Sequence, residues 1–533
     1  MSNPPNRPVP YGQPVWPPQP APPPVPRRPV PPPPPPRDPT RLERLFLDWR
    51  APGRPLSAGL LGGIAAAGLI GAGALGALVP EGFAGLNLLI AALAVTAVTL
   101  PVAWSSGRMV VRDGTRRRVN RTGLAFCSLA LVLAGVASVR DAVWIVALAA
   151  ALAVPIASYG VVGGRSWTQV LAGGGALGLA SAQMGSWAGR GARETMTSGR
   201  DRTVPIVRTV LLALALLAVF GALFSTADAA FGDLAEGLLP EVSGGSVLWH
   251  VVAGIVTAWA ALTFVYVTLA PPPLKVLTPD RPKAAPLWSW AVPIAALDLL
   301  FMAFCAVQAS VLLASDKDAL LKSTGLTYAE YARRGFFQLV VVTVLVLVVI
   351  AVAMRRAPMA DARGRAVVRG LLGLLCALTL VVVSVALRRL YLYEETYGWT
   401  RLRLWVHAFE LWLGLVIVLV AAAGVRWRAS WLPRAVAASG AVALIALAAI
   451  DPDAFIAERN VARFEQTGKI DTGYLSGLSA DAVPALDRLP EPHRSCALRE
   501  IAARLDRSEP AVAANLARHR ARVILDRRPD QRC

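Results

Sequence analysis

The chain has 533 residues, of which 55% are apolar and 17% charged, and its 54 Lys and Arg against 34 Asp and Glu leave a net charge of +20. Soluble domains run near ~45–50% apolar and ~25% charged. A nucleic-acid-binding protein would carry such charge on a polar surface, a disordered chain would be poor in large apolar residues, and a disulfide scaffold needs far more than five Cys. An all-α polytopic membrane protein remains.

Twenty of the 42 Pro fall in residues 1–39, in runs such as Pro31 to Pro36. No apolar core forms there, so residues 1–56 read as a solvated, disordered, Pro-rich cytoplasmic tail with a short lead-in. The tail is not a signal peptide, because the first apolar run begins only near Ser57. The lead-in, residues 41–54, puts Leu42, Leu45, Phe46 and Trp49 on one helical face beside four Arg, a pattern suited to the membrane interface.

Residues 57–450 offer eleven apolar runs of spanning length, at about 57–79, 84–104, 122–139, 142–163, 204–224, 247–270, 288–313, 336–354, 367–387, 402–424 and 434–450. The stretch 166–187 is apolar too, but holds Gly173-Gly174-Gly175 and several Gln and Ser. Lys and Arg favour cytoplasmic loops. With eleven crossings, the clusters at 108–121, 190–202, 275–283, 355–365 and 426–434 all fall inside, while 225–246 has four acidic and no basic residues. A crossing at 166–187 would invert every later loop, so that stretch is placed in or on the inner leaflet. The expected protein is a bundle of the plasma membrane with its N-terminus cytoplasmic and residues 451–533 a small helical extracytoplasmic domain. Arg388 and Arg389 strain the scheme, because it puts them outside.

Several apparent motifs dissolve. Gly71, Gly73 and Gly76 match G-x-G-x-x-G, but without the strand before and the acid after that a dinucleotide site needs. Inside a Gly/Ala-rich span, close helix packing explains them, and Gly59 and Gly63 likewise. The five Cys show no C-x-x-C, and none of the four His stands at metal-ligand spacing. No cofactor and no metal is expected. Cys496 and Cys533 share the tail and can pair if it is external.

The informative residues are polar ones at membrane depth. Asp298 lies mid-span between Leu297 and Leu299, where an ionised carboxylate costs at least ~2.5 kcal/mol. It suits a proton or cation site, or a carboxyl paired with a neighbouring helix. His407 and Glu410, three apart and on one face, either extend a polar seam with Asp298 or lie near the outer end as packing residues. Outside, Asp228 and Asp233 offer carboxylates to a metal or base role. Glu330, Arg333, Glu394 and Arg401, in segments dense in Tyr and Arg, form either an interfacial belt or a pocket for a charged headgroup.

Tyr328-Ala329-Glu330-Tyr331-Ala332-Arg333-Arg334-Gly335-Phe336-Phe337-Gln338-Leu339, the element Tyr397-Gly398-Trp399-Thr400-Arg401-Leu402-Arg403, and Asp451-Pro452-Asp453-Ala454-Phe455-Ile456-Ala457 followed by Tyr474-Leu475 and Leu478 to Leu486 carry a resemblance. Together they resemble a bacterial multi-pass membrane family of unknown function, common in actinobacteria, over roughly residues 200–490. The resemblance implies a membrane location and no activity.

In the C-terminal tail, helical patterns cover about 453–467 and 491–527, with Ser479 and Ser508 as caps. Its Leu and Ala at helical spacing suggest contact with the protein's own outer loops or with an envelope partner. Three functions stay open: a non-enzymatic envelope scaffold or signalling component, favoured here; a secondary transporter using Asp298; and a membrane enzyme acting on a lipid-linked substrate. The expected partners are the bilayer and an envelope protein, not nucleic acid; the oligomeric state is open.

Overall fold

A computed structural model describes residues 12, 37–53, 56–76, 78, 82–107, 110–113, 116–197, 216, 220, 224, 244–279, 286–313, 336–356, 362–426 and 429–528. After a short helix α1 (Arg41–Asp48) come α2 (Ala58–Leu75), α3 (Leu86–Ser105), α4 (Arg121–Val139), α5 (Val143–Val162), α6 (Trp167–Gly174) and α7 (Ala176–Thr197). The chain continues through α8 (Gly244–Leu269), α9 (Leu287–Leu313), α10 (Phe336–Arg356), α11 (Ala362–Tyr397), α12 (Arg401–Arg426) and α13 (Leu432–Ala449). The polar C-terminal residues form α14 (Pro452–Thr467), α15 (Thr472–Ser476), α16 (Val483–Leu486), α17 (His493–Leu505) and α18 (Leu516–Arg527). An antiparallel hairpin of β1 (Val110–Asp113) and β2 (Arg116–Val119) fills the loop after α3.

Among the described residues, ten helices are long and apolar enough to cross a membrane: α2 to α5 and α8 to α13. Their outward faces are apolar as well, as Val292, Leu299, Leu300 and Val307 show on α9, which suits contact with lipid rather than water. The chain is therefore an all-α polytopic bundle. The eleventh sequence-predicted span, 204–224, lies outside the described residues except for Leu216, Phe220 and Phe224. Helix α11 has 36 residues, about 54 Å, well beyond the ~30 Å hydrocarbon core. Its surplus turns carry Arg388 and Arg389 out of the apolar run, and Arg389 donates to Gln308 Oε1 (3.2 Å).

One end of the bundle carries residues 452–528 and is called here the domain end. The stretch 166–187 starts and finishes at the opposite end. Ser166 and Gln169 form a capping box that starts α6 beside the end of α5. Helix α6 dips inward until Gly173 O accepts from Ser158 (2.6 Å) and Gly174 packs on Pro155. After the turn at Gly175, α7 runs back along α8, past Met184 on Thr263 and Trp187 on Tyr266, to Gly191 beside Leu56. A helical hairpin that enters and returns leaves the sidedness of later loops unchanged.

The helices group in two lobes. In the first, α2 packs on α3 and α8, α4 on α5, and α13 on both α4 and α5; in the second, α9, α10 and α12 surround α11. The lobes meet where α12 packs on α13, with Trp144 of α5 edge-on to Trp405 of α12 at 6.4 Å. One apolar core runs from Ile145 and Leu444 of the first lobe into Ile456, Leu486 and Leu498 of the C-terminal region. The second lobe has its own core around Phe301, Leu375 and Ile417. A third core seats α1: Leu45 and Trp49 are buried, and Trp49 Nε1 donates to Ala270 O (2.8 Å), while Leu42 is exposed and leaves the expected apolar face.

Three other expectations need correction. The helix expected over 491–527 is two helices, because Pro510 cannot continue one, and α18 is capped by Asn515 rather than Ser508. Ser479 precedes a short 3-10 turn but its hydroxyl goes to Asp481, not to a backbone N–H. Among the motif glycines, a Cβ on Gly71 would lie 2.1 Å from Thr257 Oγ1 and one on Gly76 would strike His250, whereas Gly59 and Gly73 face open space. Close packing accounts for two positions only.

Candidate functional site

Two sets of buried charge stand out. The first joins the C-terminal region to the bundle. Every helix ends in carbonyls without intrahelical partners, and at the domain end the partners come from elsewhere in the chain. Asn515 Nδ2 donates to Ala137 O (2.7 Å) and Arg140 O (2.9 Å), closing α4. Arg140 Nε and Nη2 donate to Ala448 O (2.7 Å) and Ala449 O (3.0 Å), closing α13. Arg463 Nη2 donates to Thr396 O (2.5 Å) near the end of α11.

Carboxylates complete this set. Asp481 Oδ2 accepts the N–H groups of Asp141 (2.8 Å) and Ala142 (3.0 Å) ahead of α5, and Asp141 Oδ2 accepts the N–H of Ala480 (3.1 Å) in return. Arg518 donates to Asp141 (2.7 Å), Glu509 (2.6 Å) and the carbonyl of Ala84 (3.0 Å). Asp453, fully buried, accepts from both lobes. Its Oδ1 takes Trp144 Nε1 of the first lobe (3.2 Å) and Arg401 Nε of the second (3.0 Å), and its Oδ2 takes Arg401 Nη2 (2.5 Å) and the N–H of Ser479 (2.9 Å). Asp451, in the left-handed conformation at φ 62°, pairs with Arg140 as the chain turns from α13 into α14.

The environments separate these acids. Burial raises the Asp453 carboxyl, but the hydrogen bonds and charge of Arg401, with those of Ser479, outweigh it and hold it below the usual range. Asp481 is pushed up to about 7, first by burial and then by the Asp451 and Asp141 charges. Burial also raises Asp451, against the opposing charge of Arg140.

The second set lies in the second lobe and runs from its domain end, at Glu394, to membrane depth, at Asp298. Asp298 is 1% exposed, and neither carboxylate oxygen has a hydrogen-bond partner among the described residues. Glu410, fully buried, meets Thr343 Oγ1 of α10 through Oε1 (3.3 Å), and its Oε2 has no such partner. Glu394, also fully buried, meets His407 Nδ1 (3.1 Å) and keeps an unpartnered Oε2. Trp399 stacks on His407 at 5.6 Å. From the domain end inward the order is Glu394, His407, then Glu410 one turn further along α12.

The sequence-predicted residues are thus partly assembled. His407 joins Glu394 and Glu410 joins Thr343, but no hydrogen bond links either to Asp298 among the described residues. Arg401 is engaged by Asp453, and Glu394 by His407. Asp228, Asp233, Glu330 and Arg333 lie outside the described residues. Cys496 is disulfide-bonded, and Cys533 lies outside the described residues. No group of three or more metal-ligating side chains is found among the described residues. Sequence reasoning missed Asp141, Arg140, Asn515 and Arg518. The Arg-Asp pair between two apolar runs was the available signal, since a loop of three residues leaves both side chains at the helix ends.

A family model described as Domain of unknown function (DUF4153) matches residues 126–489, more than half of the chain. The chain belongs to the DUF4153 family. The DUF4153 match opens within α4, well before the stretch of 200–490 over which the resemblance was drawn, and takes in both partners of the Asp453–Arg401 and Asp481–Asp141 contacts. Glu509, Asn515 and Arg518 lie beyond it. No match is found among curated proteins or among solved structures.

Proposed function

We propose that this DUF4153 protein is a multi-pass protein of the cell membrane, with a cytoplasmic N-terminus and an external C-terminal domain, and that its second lobe works as a proton-coupled secondary transporter. The observation that carries the transport function is Asp298, a carboxylate at membrane depth, shielded from solvent and without a hydrogen-bond partner among the described residues. Such a group is costly to keep and rewards a bound proton or cation. The Glu394, His407 and Glu410 series supplies further exchangeable groups between it and the domain end.

The orientation draws on Arg165, Arg190, Arg193, Lys275, Arg355, Arg356 and Arg434 at the opposite end. The disulfide-bonded Cys496 suits an oxidising compartment on the domain side. The test reconstitutes the protein in vesicles and drives protons inward with a potassium diffusion potential, read by a trapped pH dye. Flux above that of empty vesicles, lost in Asp298→Asn, is expected; equal flux in both proteins would sink the idea.

A second function, a non-enzymatic scaffold or signalling component, is favoured by the many hydrogen bonds and the shared apolar core that attach the C-terminal region to the bundle. Its exposed Arg459, Arg488, Arg499, Arg507 and Arg520 would face an anionic envelope partner. Crosslinking from those positions in cells would report it.

A further inference from the structure

At the opposite end of the first lobe, a cavity of about 150 Å³ opens among Asn120, Thr122, Tyr159, Arg165 and Arg434, with glycine backbone completing the wall. It is well above the size a single water needs. Its residues sit at three helix termini: Asn120 caps the start of α4, Gly163 ends α5, and Arg434 belongs to the first turn of α13. That level is where the headgroups of a surrounding bilayer would lie.

The turn between α5 and α6 builds one wall. Gly163 and Gly164 have φ of 74° and 143°, values that L side chains rarely adopt. This conformation points Gly164 O at two donors at once, the Tyr159 hydroxyl (2.8 Å) and Arg434 Nε (2.7 Å). The carbonyl therefore holds the Arg434 guanidinium and the Tyr159 hydroxyl side by side at the cavity. Arg165, on the turn itself, brings a second guanidinium, and none of the lining residues is acidic. The start of α4 adds the positive end of a 19-residue helix.

We infer that this cavity binds a phosphoryl group, carried either by an anionic lipid headgroup or by a small phosphorylated solute. Two guanidinium groups lining one cavity match the oxygens of phosphate, and Arg recognises such oxygens in pairs. A basic pocket between spanning helices at the headgroup level is also where an anionic lipid is captured. The inference is independent of the transport function, since the cavity lies in the other lobe.

The full-length protein in detergent serves as the test. Native mass spectrometry compares retention of added phosphatidylglycerol with that of phosphatidylcholine, and thermal denaturation reads the effect of inorganic phosphate. Preferential retention of phosphatidylglycerol, weakened about tenfold in both Arg165→Gln and Arg434→Gln, identifies a headgroup as the source. A phosphate-induced rise in melting temperature that these variants abolish, without lipid preference, identifies a soluble ligand. Because Arg434 also supports the turn, the exposed Arg165 decides the outcome if Arg434→Gln does not fold. Arg165→Gln equal to wild type with both probes, or no lipid preference together with no phosphate effect, would overturn the inference.

Discussion

Aspartates and glutamates are buried in two regions of this protein under different terms. At the domain end, Asp453 meets four donors and the Asp141 carboxylate two, drawn from a Trp ring, backbone amides and Arg side chains. In the second lobe, Asp298 meets none among the described residues; Glu394 and Glu410 each leave one oxygen unpartnered, as Asp451 and Asp481 also do at the domain end, so the contrast rests on Asp298. Burying a carboxylate is tolerable when donors replace water and expensive when they do not. The first region therefore behaves as a fastening between two lobes and a terminal domain. Asp298 carries a cost that a fastening has no reason to keep, and that points to function in the second lobe.

The comparison breaks most visibly at Asp453. Asparagine there leaves the Arg401 guanidinium without its counter-charge. Because that side chain is 35% exposed, the loss falls at the low end of the range for a broken buried pair, about 3 kcal/mol in thermal denaturation. Replacing Arg401 with Met in the same protein should recover part of it. Gly71→Ala tests the packing between α2 and α8 rather than the fastening, and its Cβ against Thr257 should cost about 1–3 kcal/mol. Asn515→Ala removes two carbonyl caps and the start of α18, with an expected loss of about 1–2 kcal/mol.

The last effect is a slope with pH. Asp481 binds its proton more tightly in the folded protein, so stability should fall as pH rises from about 4 toward the value of about 7 and stay flat above it. Asp453 has the opposite sign: its contribution is complete above the ordinary carboxyl range and lost only as pH falls below it. Asp481→Asn should flatten the upper slope and leave the acid limb in place. An unchanged upper slope would show that Asp481 is not the titrating group.

Apolar runs made the bundle legible. The expected spans at 122–139, 142–163 and 288–313 match α4, α5 and α9 within a residue or two, because hydrocarbon demands a continuous apolar stretch. The true length of α11 was hidden, since its last turns are polar and held by Arg463 from α14 rather than by lipid. The sidedness of 166–187 came from charge counting alone, which sees where loops must lie but not that α6 and α7 make a hairpin. The fastening was least legible. Asp453 and Arg401 were both in view as parts of separate motifs, but 52 residues of intervening chain conceal that they meet. For Asp298, sequence gave the residue and its depth, and only packing could reveal that both oxygens lack a donor among the described residues.

Proton entry into vesicles, measured side by side for Asp298→Asn and Asp453→Asn below the melting temperature of either, tests the division most directly. The account predicts that Asp298→Asn abolishes entry with its melting temperature preserved, while Asp453→Asn melts earlier but still conducts. Entry that survives in Asp298→Asn and vanishes in Asp453→Asn would contradict it.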